Sequence, residues 1–221
     1  MSGKNDRIVP GNEVSMFFSL ATFIFTIPDV TTMVDALAVF PGMGEDERVE
    51  QAIINWQLPI NSSRYFIIAS PNYNEETTRI ITPDVLRNPP FNLKRFEGVI
   101  IEDESSNTKE QTERVLKRVR QYDLKSLALF ASPFHLPRAY LTLLKTLIDA
   151  KLKEVAITPG QVFKSPGSVI PEFRTTAWEA IAGEVRRIKK YQVKGDVATL
   201  DELREYLVWL WRGFLPHVVK K

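Results

Sequence analysis

The stretch that most constrains the fold is Leu127–Tyr140, LALFASPFHLPRAY. Leu127 to Ala131 is an unbroken apolar run, the pattern of a strand covered on both faces. It stops at Ser132-Pro133, and Leu136, Tyr140, Leu143, Leu144 and Leu147 then recur at three- and four-residue spacing, one apolar stripe of a helix. A buried strand feeding directly into a helix is half of a parallel βαβ unit. Similar apolar runs occur at Ala36–Phe40, Tyr65–Ser70, Gly98–Asp103 and Glu154–Thr158, with Ser126–Ala131 fourth in chain order. Helices are predicted over Asn12–Ile27, Glu45–Gln57, Pro83–Arg87, Thr108–Tyr122, Leu136–Ala150, Thr176–Tyr191 and Leu200–Phe214. The expected fold class is therefore α/β: a doubly wound, five-stranded, mostly parallel sheet with extra N- and C-terminal helices. Residues 1–12, polar and containing Pro10 and Gly11, read as a flexible arm. Residues 13–221 read as a single domain with helical additions at 13–30 and 172–216.

Composition removes several kinds of chemistry. The chain has no cysteine, which excludes disulfides, thiolate metal sites and cysteine nucleophiles. Its two histidines argue against a histidine-rich zinc site. Lys+Arg number 29 against 27 Asp+Glu, so nucleic acid is not the expected partner. The apolar segment Met16–Ile27 is too short to span a membrane and is stopped by Pro28-Asp29. Asp6 and Glu13 interrupt the basic residues before it and no small-x-small cleavage site follows, so it does not read as a signal peptide. The expectation is a buried or partner-facing helix in a cytoplasmic protein without a membrane span; a peripheral membrane contact stays open.

In open α/β sheets ligands sit outside the carboxyl ends of the strands, where His135 and Arg138 lie. A positive charge in the first turn of a helix is unfavourable unless an anion meets it. Glu102 is one internal candidate for that anion, and a phosphate or carboxylate ligand is the functional one. His135 is suited to acid–base work near neutral pH. Gly42 and Gly44 follow the first strand as a phosphate-cradling turn would, but a third glycine is missing. Glu45-Asp46-Glu47 would repel a phosphate at that helix start and are better read as complements to the helix dipole. Arg48 reverses part of the repulsion if it faces the cleft. Asn107 with Glu110 fits a capping box. Glu102, Asp103 and Glu104 could bind magnesium, a minor alternative, because chain alternation turns Asp103 away from the other two. No metal ligand is assigned.

Two features concern partners. Leu203, Tyr206, Leu207, Leu210, Trp211 and Phe214, with Val208 and Trp209 beside them, form a wide apolar stripe. It suits packing on the domain or on the N-terminal helix, with a dimer or membrane-surface contact as the alternative. The basic run Arg186–Lys190 reads as a solvated helix face.

Taken in order, the loops form a pattern. A glycine turn follows strand one. Glu102-Asp103-x-Ser105-x-Asn107-Thr108-x-Glu110 follows strand three, and Ser132-x-x-His135-x-x-Arg138-Ala139 follows strand four. This resembles the YdcF/SanA/ElyC-like family over roughly Asp35–Thr158. The resemblance implies a Rossmann-like domain whose site is built from these three loops. Members are associated with bacterial envelope maintenance, and nucleotide or adenosyl-type ligands have been suggested for them. The chain departs from the pattern at Ser70-Pro71-Asn72-Tyr73, where a glycine pair is usual, and at Gln111, where asparagine is usual. Convergence of the three loops points to strand order 2-1-3-4-5, with 3-2-1-4-5 the second choice because it sends the Glu102 loop to the far edge.

The function expected is binding of an anionic small molecule, a nucleotide or adenosyl-type metabolite. Arg138 would pair with the anion, Ser105, Asn107 and Ser132 would orient the ligand, and Gly42, Gly44, Arg48 and Thr108 would complete the site. Glu102 and His135 would be the acid–base pair of any transferase or hydrolase chemistry. The competing expectation is a non-catalytic interaction protein that forms homo-oligomers through its apolar terminal helices.

Overall fold

The computed structural model describes residues 11–69, 75–77, 79–102 and 105–218. Most of the arm, the Ser70–Tyr73 loop, Asp103 and Glu104 lie outside the described residues. Five parallel strands form the sheet: β1 Ala36–Val39, β2 Tyr65–Ile68, β3 Val99–Ile101, β4 Ser126–Phe130 and β5 Ala156–Gly160. Every residue of β1, β4 and β5 is buried, as unbroken apolar runs require of strands covered on both faces. The helices are α1 Gly11–Phe25, α2 Glu47–Trp56, α3 Pro83–Arg87, α4 Thr108–Tyr122, α5 Leu136–Asp149, α6 Ala177–Val193, α7 Leu200–Trp209 and α8 Leu215–Val218.

The strand order is β3-β2-β1-β4-β5, which corrects the expected 2-1-3-4-5. From β1 the chain winds outward through β2 to β3, then crosses back and winds the other way through β4 to β5. Right-handed crossovers then put α2 on one face and α4 and α5 together on the other. Contacts agree: α2 packs on β1 and β4, while α4 packs along α5. Trp56, Phe40, Phe66 and Phe130 are almost wholly buried between these layers, and fully burying an aromatic or aliphatic side chain of this kind is worth roughly 1.5–3 kcal/mol.

Three local readings shift. β5 runs past Pro159, expected as a stop, to Gly160. It is an edge strand, so the missing proline N–H deprives no outer neighbour of a ladder bond. The loop after it contains a two-stranded antiparallel ribbon, β6 Val169–Ile170 with β7 Thr175–Thr176, too short to leave a periodic signal. The last predicted helix breaks at Trp209 into a π-helical turn, Leu210–Phe214. No helix among the described residues is long and apolar enough to cross a membrane.

Candidate functional site

The order of the strands makes β1 and β4 neighbours that lead to opposite sides of the sheet, and the crevice between their carboxyl ends is where such folds bind ligands. After β1 comes the glycine turn, with φ +146° at Gly42, +59° at Met43 and +69° at Gly44. A Cβ at Gly44 would stand 2.8 Å from Thr77 and 2.9 Å from Pro171, so glycine there serves close packing as well as the left-handed backbone. The Met43 backbone N–H donates to the Glu75 carboxylate, which also covers Gly42. The turn therefore already holds an anionic oxygen.

Although β3 is the far edge strand, its loop reaches the crevice through α4. The Gln111 amide donates to the Pro41 carbonyl at 3.0 Å, and Arg138 Nη1 donates to Thr108 Oγ1 at 2.9 Å. Helix packing thus brings the three loops together without adjacent strands, and His135, Arg138, Asn107 and Thr108 line one cavity of about 240 Å³ with Gly42, Met43 and Arg48. Asn107 caps α4: its side chain accepts from Glu110 N at 3.1 Å, and Glu110 answers at the Ser106 amide, 2.7 Å.

The centre of the cluster is a residue absent from the sequence motifs. Glu184 of α6 is wholly buried; its carboxylate accepts from Arg138 Nε and Nη2 and from Arg187 Nη1 at 3.0 Å. It therefore supplies the internal anion for Arg138, the place first given to Glu102. Arg138 Nη2 also lies 3.0 Å from His135 Nδ1. A guanidinium can only donate, so Nδ1 accepts in this contact when the ring hydrogen is on Nε2, whereas the other tautomer turns Nδ1–H toward Glu184 Oε2 at 3.5 Å. Burial, reinforced by the Arg138 charge, lowers the His135 pKa to about 4. At neutral pH the ring is uncharged and buried against Arg138 and Glu184, which suits it to positioning Arg138 rather than to shuttling protons. Burial pushes the Glu184 carboxyl up, but the Arg138 charge outweighs it and holds the pKa well below the usual range.

A second buried network lies beneath the turn. Arg48 donates to Ser132 Oγ at 2.7 Å, to the Phe40 carbonyl at 3.1 Å and to Glu45. Ser132 Oγ donates on to Glu45 at 2.9 Å, and Lys164 Nζ lies 2.8 Å from the other Glu45 oxygen. The acids thought to repel phosphate are thus already paired, Asp46 with Arg79 at 2.9 Å and Glu47 with Lys164 at 3.0 Å. Burial raises the Glu45 pKa, yet Arg48 and Lys164 bring it below the ordinary value.

Of the residues expected in the site, Gly42, Arg48, Asn107, Thr108, His135 and Arg138 line the cavity. Gly44 and Ser132 support it from behind. Glu102 does not reach it: its carboxylate is held by Arg118 of α4. Ser105 is buried, its hydroxyl without a hydrogen-bond partner among the described residues, and it does not line the cavity. Among the described residues no group of three or more His, Asp or Glu is placed to hold a metal ion.

Sequence reasoning missed Glu184, Arg187, Phe173 and Tyr191. Arg187 was assigned to a solvated face, but it lines the cavity and its guanidinium stands 5.1 Å from the Phe173 ring centre. A signal for Glu184 existed. Ala177, Ala180, Glu184 and Ile188 make one buried stripe of α6, and a carboxylate on an apolar stripe demands a cationic partner. No protein-family model and no curated protein matches this chain.

Proposed function

We propose that the chain binds an anionic, phosphate-bearing small molecule, a nucleotide or adenosyl-type metabolite, in the crevice between the β1 and β4 loops. The observation that carries this reading is the Met43 amide donating to a carboxylate in a cleft lined by Arg48, Arg138 and Arg187. A ligand oxygen taking the place of Glu75 would find the same backbone donor. Arg187 is the guanidinium best placed to meet it, since its side chain is 37% exposed whereas Arg138 is committed to Glu184. Phe173 and Tyr191 provide apolar walls for a planar group. The three loop motifs and their resemblance to the YdcF/SanA/ElyC-like family support the same ligand class. Among the described residues the site holds no activated nucleophile, and His135 serves as a neutral orienting group, so binding is the function proposed.

The test is calorimetric titration of the purified chain with inorganic phosphate, pyrophosphate and adenosine mono- and triphosphate. At least one nucleotide is expected to bind. Arg187→Ala should weaken it about tenfold, the worth of one hydrogen bond to a charged group. Glu75→Gln should tighten it, because the internal competitor loses its charge. Equal affinity in native protein and both variants, or no binding at millimolar concentration, would overturn the proposal.

A further inference from the structure

A second cavity shares no residue with the crevice and lies between α1 on one side and α7 with the π-helical turn on the other. It is an open groove of about 630 Å³, within the size range of small-molecule sites. Leu20, Leu203 and Leu207 form its floor and are buried, while Phe23 and Trp211 stand as walls, 59% and 46% exposed. The two hydroxyls on the α1 side are already used, Ser19 donating to the Ser15 carbonyl at 2.9 Å and Thr26 to the Phe23 carbonyl at 3.2 Å. The polar groups left for a ligand are the guanidiniums of Arg204 and Arg212 and the indole N–H of Trp211, with the Asp201 carboxylate also on the lining. Arg204 has Asp201 only at 3.8 Å, and Arg212 has no carboxylate partner among the described residues.

The π-helical turn bears on the same groove. It widens the helix at a cost in backbone geometry, and such turns recur at functional positions. Here it carries Trp211 and Arg212, both of which line the groove. An apolar trough whose lining carries two guanidiniums against one carboxylate, Asp201, fits an apolar chain ending in an anion.

We propose that this groove binds a monomeric single-chain amphiphile with a carboxylate head, the alkyl chain between Phe23, Leu207 and Trp211 and the head against Arg204 and Arg212. The experiment is titration of the full chain with octanoate, decanoate and dodecanoate below their micelle concentrations, beside dodecanol, dodecyltrimethylammonium and anionic phospholipid vesicles. Saturable one-to-one binding is expected, tightening by up to about fourfold per added methylene. Arg204→Gln with Arg212→Gln should weaken dodecanoate about three- to tenfold and leave dodecanol unchanged. Phe23→Glu should abolish binding, with an unaltered melting curve because the side chain is exposed. The proposal fails if the cationic amphiphile binds as tightly as the carboxylate, if only vesicles bind, or if sedimentation finds a dimer that Phe23→Glu dissociates.

Discussion

At the residue scale the molecule turns on Arg138. Its guanidinium has Glu184 on one side and His135 and Thr108 on the others, and the carboxylate is wholly buried. Removing one member of a buried pair leaves an uncompensated charge, so Arg138→Ala is expected to lower unfolding stability by about 3–5 kcal/mol in a urea titration. Arg187 shares Glu184 but is partly exposed, and Arg187→Ala should cost about 1 kcal/mol or less. If the two variants were equally stable, Arg138 would not be the partner that neutralises Glu184. This contrast is why the ligand test uses Arg187. His135 and Arg138 were legible in the sequence because a histidine and an arginine opening a helix are conspicuous there. The burial of Glu184 could be read from the apolar stripe of α6, but its pairing with Arg138 could not, because the two are 46 residues apart and nothing local links them.

At the scale of elements, helices position what the strand order would scatter. α4 begins at the loop of the far edge strand, yet Gln111 and Thr108 tie its first turns to the β1 loop and to α5. At the other edge, α7 closes β5. Tyr206 hydroxyl donates to the Val155 carbonyl at 2.9 Å and accepts from the Ile157 amide at 2.6 Å, completing hydrogen bonds that a strand edge otherwise leaves open. Tyr206→Phe strips both, at about 1–3 kcal/mol for each buried group left unpaired. The expected result is a lower melting temperature and faster hydrogen exchange at the Ile157 amide. Unchanged exchange there would mean that the edge is protected by packing alone. The α7 stripe was legible from its spacing. That one tyrosine on it would serve an edge strand was not, since the hydroxyl's partners lie 49 and 51 residues away.

At the scale of the whole molecule, the buried charge clusters set its response to acid. Folded, His135 has a pKa of about 4 against an ordinary 6.5. As pH falls from about 6.5 to about 4 the unfolded chain takes up a proton that the native state refuses, so this site costs up to about 3 kcal/mol of stability across that window. Below about 4.5 the lowered carboxyls of Glu45 and Glu184 add to the loss, because unfolded chains protonate them first. Urea midpoints at pH 7, 5.5 and 4.5 should therefore fall progressively, and His135→Gln should flatten the slope between pH 6.5 and 4. A wild-type midpoint indifferent to pH over that window would contradict the assignment.

The division between what the amino-acid order determined and what the tertiary structure decided follows the range of the forces. Strand and helix periods, the caps at Asn107 and Thr82 and the turn at Gly42 arise from neighbours within a few residues, so the α/β class and most element bounds could be read directly. Strand order, the burial of Arg48 beneath the turn, and the partner chosen by Arg138 depend on which distant segments finally touch. Several topologies bury the same apolar runs equally well. Only the packed molecule selects the one in which every buried arginine of the cleft finds its carboxylate.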